Sequence, residues 1–269
     1  MRESKIRVGV TVAFVTDPIA SLLDLDDVRP AFDNVRIAVD LALRHPALRR
    51  SGGAVAAEVG LRSAVASAAL EGHPHDLDTV RDGLITDPVL QGSLRVSGAL
   101  DGLTTLWQRA PRQALAKLHM LAARGAIPDD ALGRPRVDPN VSARLDGLAH
   151  LIASAAPGRA SDTAERPALL LAAVVHGELL ALAPFAGPSG VVARGAARLC
   201  LIAGGFDPRG LLAVDAGHLE REPEYIGAAG AFATGTPDGL RSWFKHYAAA
   251  VTVAATLVTT VGDEVVARS

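Results

Sequence analysis

The run ALLLAAVVHGELLALAPF, Ala168 to Phe185, is apolar on nearly every face when wound as a helix. A surface helix carries one apolar stripe and a polar back, whereas a helix apolar all round has neighbours on every side. The chain must therefore build a shell of other elements around this one. Aromatic residues make up only 4% of it, so the shell is packed with Ala, Leu and Val, and Ala- and Leu-rich segments favour helices. GVVARGAARLCLIAGG, Gly190 to Gly205, reads as a second buried helix closed by glycines.

The rest of the chain supplies the shell. DDVRPAFDNVRIAVDLALRHPALRR predicts a helix starting near Arg29–Pro30, because proline is tolerated in a first turn; Ile37, Val39 and Leu41 fall at its apolar spacing. AVAAEVGLRSAVASAALEG predicts a helix over 54–71 stopped by Gly72, since glycine commonly follows a helix end. Further helices are expected in DLDTVRDGLI, DPVLQGSLRVSGALDGLTTLWQRAP, the amphipathic PRQALAKLHMLAARGAIP, and VSARLDGLAHLIASAA. DDALGRPRVDP and PGRASDTAERP read as loops. Two helices close the chain, EREPEYIGAAGAFATG and the long TPDGLRSWFKHYAAAVTVAATLVTTVGDEVVA, the latter with a capping region at Thr236–Asp238. Its end, TVAATLVTTVGDEVV, is expected to cover the chain's own core, with a second subunit as the alternative occupant. VGVTVAF near the start is β-branched enough for a short strand, but an isolated one. The expected fold is mainly α, with an N-terminal helical region over 1–90 and a core over 91–269.

Composition excludes several classes. The net charge of -2 gives no basic excess for nucleic acid and no acidic tail. Runs of about 18 apolar residues uninterrupted by charge are not expected, so a membrane span is not expected either. The first residues lack the apolar length and cleavage site of a signal peptide. Cys200 is the one cysteine, which rules out an internal disulfide and fits a reducing cytoplasm.

The loop between the two buried helices, LAPFAGPSGVVARG, poses the functional question. Small-residue loops that open a helix bind phosphate through free backbone N–H groups. Pro188 has no N–H, and the loop holds no Lys, Asp or His. Ser189 reads as a helix cap. Arg194 and Arg198, four apart, share a helix face; together they read as an anion pocket, or Arg198 alone as a surface or interhelix salt bridge. His176, alone on the most apolar helix, reads as a hydrogen-bonded core residue. Glu71 lies at a helix C-terminus, where the macrodipole disfavours an anion by about 0.3–1 kcal/mol. His73 and His75 read as a turn rather than a metal site, and Arg134 and Arg136 as loop charge or ligand contacts.

APFAGPSGVVAR, Ala183 to Arg194, resembles the signature HPFx(D/E)GNGRxxR of the Fic (Fic/DOC, or Fido) family. SAALEG, Ser67 to Gly72, resembles its inhibitory (S/T)xxxE(G/N) motif. LAKLHMLAARG resembles its LH-containing helix, GRPRVDPNV the segment leading to its flap, and His176, Tyr225 and Trp243 fall at family positions. The resemblance covers most of the chain from about residue 54. It implies a Fic-fold helical bundle with a short flap hairpin or loop, in a family that typically transfers AMP from ATP to a target hydroxyl. It also implies what has changed. The catalytic histidine falls on Ala183, the metal-holding acid on Gly187, the first anion-hole glycine on Pro188, the asparagine on Ser189 and the first arginine on Val191. Pro184, Phe185, Gly190 and Arg194 are retained.

The resemblance thus implies a degenerate protein, inactive in AMP transfer and acting as a binding or regulatory module, with Glu71 paired to Arg194. Neither a metal site nor a cofactor is expected; the partner would be a protein, a second copy included. The alternative is a nucleotidyl- or phosphoryl-type transferase of the same fold, using ATP and Mg²⁺, with His176, Ser189, Arg194 and Glu71 as candidate residues.

Overall fold

Helix-start chemistry explains most of the boundaries. In this computed structural model, which describes residues 19–155 and 167–268, proline occupies the first turn of α5 (Pro88–Arg109), α6 (Pro111–Ala123), α7 (Pro139–Ser154) and α12 (Pro237–Ala267). There its missing N–H costs no helical bond. Asp87, Asp138 and Thr236 cap three of these, each accepting from backbone N–H groups of the first turn. The remaining helices are α1 (Val28–Ala42), α2 (Ala47–Arg50), α3 (Gly52–Ala69), α4 (Leu77–Arg81), α8 (Ala168–Leu182), α9 (Ser189–Ala203), α10 (Val214–Glu220) and α11 (Glu222–Ala233). No strand occurs among the described residues; the strand expected in VGVTVAF lies outside them.

The apolar helix α8 is buried as its composition requires, packed along α9 and contacted by α7, α11 and α12. One continuous core joins Val28 in α1 to Val261 in α12 through α3, α5, α6, α8 and α9. The indole of Trp243 in α12 donates to the backbone carbonyl of Ala173 in α8 at 2.8 Å, tying the longest helix to the centre.

Two expectations change, and one alternative is settled. The inner stripe of α1 is Val28, Phe32, Val35, Val39 and Ala42, while Ile37 and Leu41 are 69% and 73% exposed. The expected 37/39/41 spacing does not follow one helical face; the 28/32/35/39/42 spacing does. Of the two forms expected for the flap segment, hairpin or loop, it is the loop, with a short 3-10 turn at Asp129–Ala131 and one bridge between Arg124 and Ile127; Pro128, Pro135 and Pro139 deny it ladder donors. Finally, α12 does reach the length and mean hydropathy of a membrane span. Its apolar side is spent on the core, where Trp243, Phe244, Tyr247, Val251, Val258 and Val261 are buried, as expected for its C-terminal half.

Candidate functional site

The site forms where α3 ends against the start of α9. The end of α3 is closed by two bonds, His73 N–H to Ala68 O and Gly72 N–H to Ala69 O, with Gly72 at φ +84°. This is a Schellman closure, so Gly72 closes the helix as expected, and Glu71 lies in the closing turn just past its last residue, Ala69. Ser67 and Glu71, one turn apart, both reach α9.

Arg194 is the hub. Its side chain is 3% exposed. Its Nε donates to Ser67 Oγ at 2.9 Å, and its Nη2 donates to Ser67 O at 2.9 Å and to Glu71 Oε1 at 2.8 Å. Its Nη1 donates to the Tyr225 hydroxyl at 3.4 Å, and Asp215 Oδ1 lies 3.5 Å from Nε. All three nitrogens are thus engaged. Burial opposes the charge, but Tyr225, Glu71 and Asp215 outweigh it and hold the guanidinium above its ordinary pKa. Two carboxylates and several hydrogen bonds are the compensation that a buried cation needs.

Gly190 explains the closeness of α3 and α9. A Cβ there would collide with Glu71 Oε1 and come within 2.9 Å of Arg194 Nη1. The Glu71 carboxylate therefore rests on the first turn of α9, where exposed N–H groups and the helix dipole favour an anion.

The loop that starts α9 is tightly built. Ala183, exposed, takes the left-handed conformation at φ 40°. Pro188, at φ -75° and ψ 68°, centres an inverse γ-turn closed by Ser189 N–H to Gly187 O at 2.7 Å. That turn makes Ser189 the first helical residue instead of the expected cap; the cap position belongs to Pro188, with no side-chain capping bond. Gly187 sits at φ +72°, and a Cβ there would meet Ile127 Cγ2 at 2.7 Å, so an acidic side chain at this position would be strained and crowded. Pro184 and Phe185 are buried, and Phe185 stacks on His119 with ring centroids 4.5 Å apart.

Two residues clamp this loop to the 124–138 segment. Gly133 N–H donates to His119 Nδ1 at 3.0 Å, which leaves Nε2 to donate to Ala186 O at 2.9 Å. Arg136 donates from Nε to Ala183 O and from Nη2 to Leu182 O, and its N–H donates to Pro184 O at 2.8 Å. Arg136 thus serves the last carbonyls of α8, a usual place for a cation.

His176 is a buried core residue hydrogen-bonded to the Tyr225 hydroxyl at 3.0 Å. Burial, then Arg194 and His246, push its pKa well below the ordinary imidazole value. His218 and His246 continue the cluster, with their ring nitrogens 3.0 Å apart. Arg198 makes no surface salt bridge; it is buried, and its Nη atoms donate to Ser63 Oγ, Ser97 Oγ and Gly210 O. His73 and His75 both meet Asp87 Oδ2, at 2.7 and 3.0 Å, fixing the turn before α5. Among the described residues, no group of three His, Cys, Asp or Glu side chains is placed to hold a metal ion.

No family model matches the chain, and no curated protein does. Solved structures do. A Fic family protein from Desulfovibrio desulfuricans G20 superposes with TM-score 0.55 at 20% identity, over 95% of this chain and 76% of that one. Fic-1 (residues 134–508) from C. elegans superposes with TM-score 0.63 at 17% identity, over 87% of this chain and 73% of that one. The chain has the Fic fold. Within that fold, the junction of α8 and α9 carries the twelve residues that resemble the Fic signature, and α3 carries the six that resemble the inhibitory motif. The structure brings Ser67, Glu71, Gly190 and Arg194 together; Pro184 and Phe185 hold the loop, and Ser189 opens α9. Asp215 and His218, on the short helix α10, are the members that the sequence reading missed. Asp215 accepts from Ser63 Oγ at 2.5 Å; its one sequence signal is an acid ten residues before Tyr225.

Proposed function

We propose that this chain is a catalytically degenerate Fic-fold protein that acts as a binding or regulatory module for a protein partner. The observation that carries the reading is the Glu71 carboxylate resting on the first turn of α9 while bound to Arg194; the sequence adds an alanine, Ala183, at the position that matches the family's base. An alanine accepts no proton, and general-base catalysis contributes about 10²–10⁴-fold.

The residues present do not suit ATP with Mg²⁺. A hard cation wants carboxylate oxygen, and position 187 is glycine. A triphosphate wants N–H groups and a cation; position 188 is proline, position 191 is valine, and Arg194 is fully engaged. No step through a nucleotide is derived. The Glu71–Arg194 pair, regulatory in the resembled family, becomes a structural tie in this reading.

The test is an AMP-transfer assay with labelled ATP and host lysate, run on the wild type and on Glu71→Ala. The reading expects no labelled protein from either. Label transferred by either would support the alternative, a nucleotidyl- or phosphoryl-type transferase with an altered motif.

A further inference from the structure

Between α3, α5 and α9, four serines line one small cavity that is partly open to solvent. Ser63 and Ser67 stand one turn apart on α3, and Ser93 and Ser97 one turn apart on α5; Arg198 and Asp215 add the charged groups, and the rest of the lining is apolar side chains and Gly195. The cavity volume is about 10 Å³, close to the room for one water-sized sphere. Interiors of Ala, Leu and Val pack without such polar gaps, so this one needs an occupant with hydrogen bonds to offer.

The polar atoms say which occupant. Arg198 is 6% exposed, and its Nε has no hydrogen-bond partner. A buried donor on a charged group is costly to leave without an acceptor. Ser93 Oγ donates to Val89 O, and Ser97 Oγ donates to Gly60 O while accepting from Arg198 Nη1 at 3.4 Å, so each hydroxyl keeps a lone pair free to accept. The site therefore combines a donor in need of an acceptor with acceptors in need of a donor. Charge argues against an anion: Arg194 faces the carboxylates of Glu71 and Asp215, and Arg198 faces that of Asp207, so no uncompensated cation is left to hold one.

We propose that this cavity is a binding site for a single resident water, which accepts from Arg198 Nε and donates to serine hydroxyls of α5. The water joins α5 to α9 beside Ser63, through which Arg198 reaches α3, so the helix that carries Glu71 is seated on a partly hydrated, polar interface.

A near-atomic-resolution crystal structure, with a parallel bromide soak, tests this. The expected result is one ordered water within hydrogen-bond distance of Arg198 Nε and no anomalous bromide signal in the cavity. Water relaxation dispersion in solution should count one fewer long-lived water in Ser93→Val, whose extra methyl fills the space. A bromide peak would make the site an anion site and overturn the proposal, as would a cavity without density in a well-ordered wild-type crystal.

Discussion

Glu71 Oε1 lies 2.8 Å from Arg194 Nη2, joining the C-terminal turn of α3 to the first turns of α9. The carboxylate is unfavourably placed with respect to its own helix and favourably placed with respect to α9. The pair, more than α3 itself, fixes where Glu71 sits. Removing either partner should destabilise the fold, but unequally. Glu71→Ala leaves Arg194 with Asp215, Ser67 and Tyr225, and should cost about 1–3 kcal/mol, the range of a hydrogen bond to a charged group. Arg194→Leu leaves Glu71 and Asp215 facing each other without their cation, and should cost about 3–5 kcal/mol. Urea melts of both variants check the order; equal losses would contradict it.

Gly190→Ala should act through Glu71. The added methyl occupies the place of Glu71 Oε1, so it should cost about 1–3 kcal/mol in the wild type and well under half of that in Glu71→Ala, since contacting residues couple by about 0.5–3 kcal/mol. A double-mutant cycle reads this directly. Additive losses would place the strain elsewhere.

Ala183→Gly should stabilise. The alanine holds φ 40°, a conformation that costs an L residue about 1–2 kcal/mol. Part of the gain is returned as unfolded-state entropy, leaving an expected rise of about 0.5 kcal/mol on the scale of such backbone effects. A fall in stability would mean that the methyl makes a contact of value.

Acid should weaken the fold through three histidines. Burial holds His176 and His218 well below the ordinary value, and His246 down to about 4 from 6.5. In the unfolded chain they titrate normally, so between those values the unfolded state binds more protons and stability rises with pH. The contribution is complete above pH 6.5 and is lost as pH falls towards 4. Urea midpoints should drop between about pH 7 and pH 5, and the drop should be smaller in His246→Gln. A flat profile over that range would contradict the buried, neutral state of the cluster.

Much of this was legible in the sequence where the cause is local. Pro88, Pro111 and Pro237 mark helix starts through their own backbone chemistry, Gly72 marks a stop, and the uniform apolarity of α8 fixes it at the centre. The Glu71–Arg194 contact was legible through the resemblance alone, because 123 residues separate the partners. What was not legible is tertiary. The seven residues of α10 are too few to show a period, yet they bring Asp215 to Arg194 and His218 to His246. Arg198 looked like a surface charge because its partner Ser63 lies 135 residues away. Ser189 looked like a cap because the inverse γ-turn at Pro188, which displaces the cap, depends on backbone angles that composition does not reveal. Ile37 and Leu41 are apolar yet exposed, because the inner face of α1 is set by its packing on α12.

In the proposed degenerate reading, the junction of α8 and α9 does not accept a nucleotide. Calorimetric titration of the wild-type chain with ATP, ADP and CDP-choline, each with Mg²⁺, tests it most directly. No binding heat is expected for any of the three. Micromolar binding of any one, at one site per chain and weakened by Arg194→Leu, would contradict it.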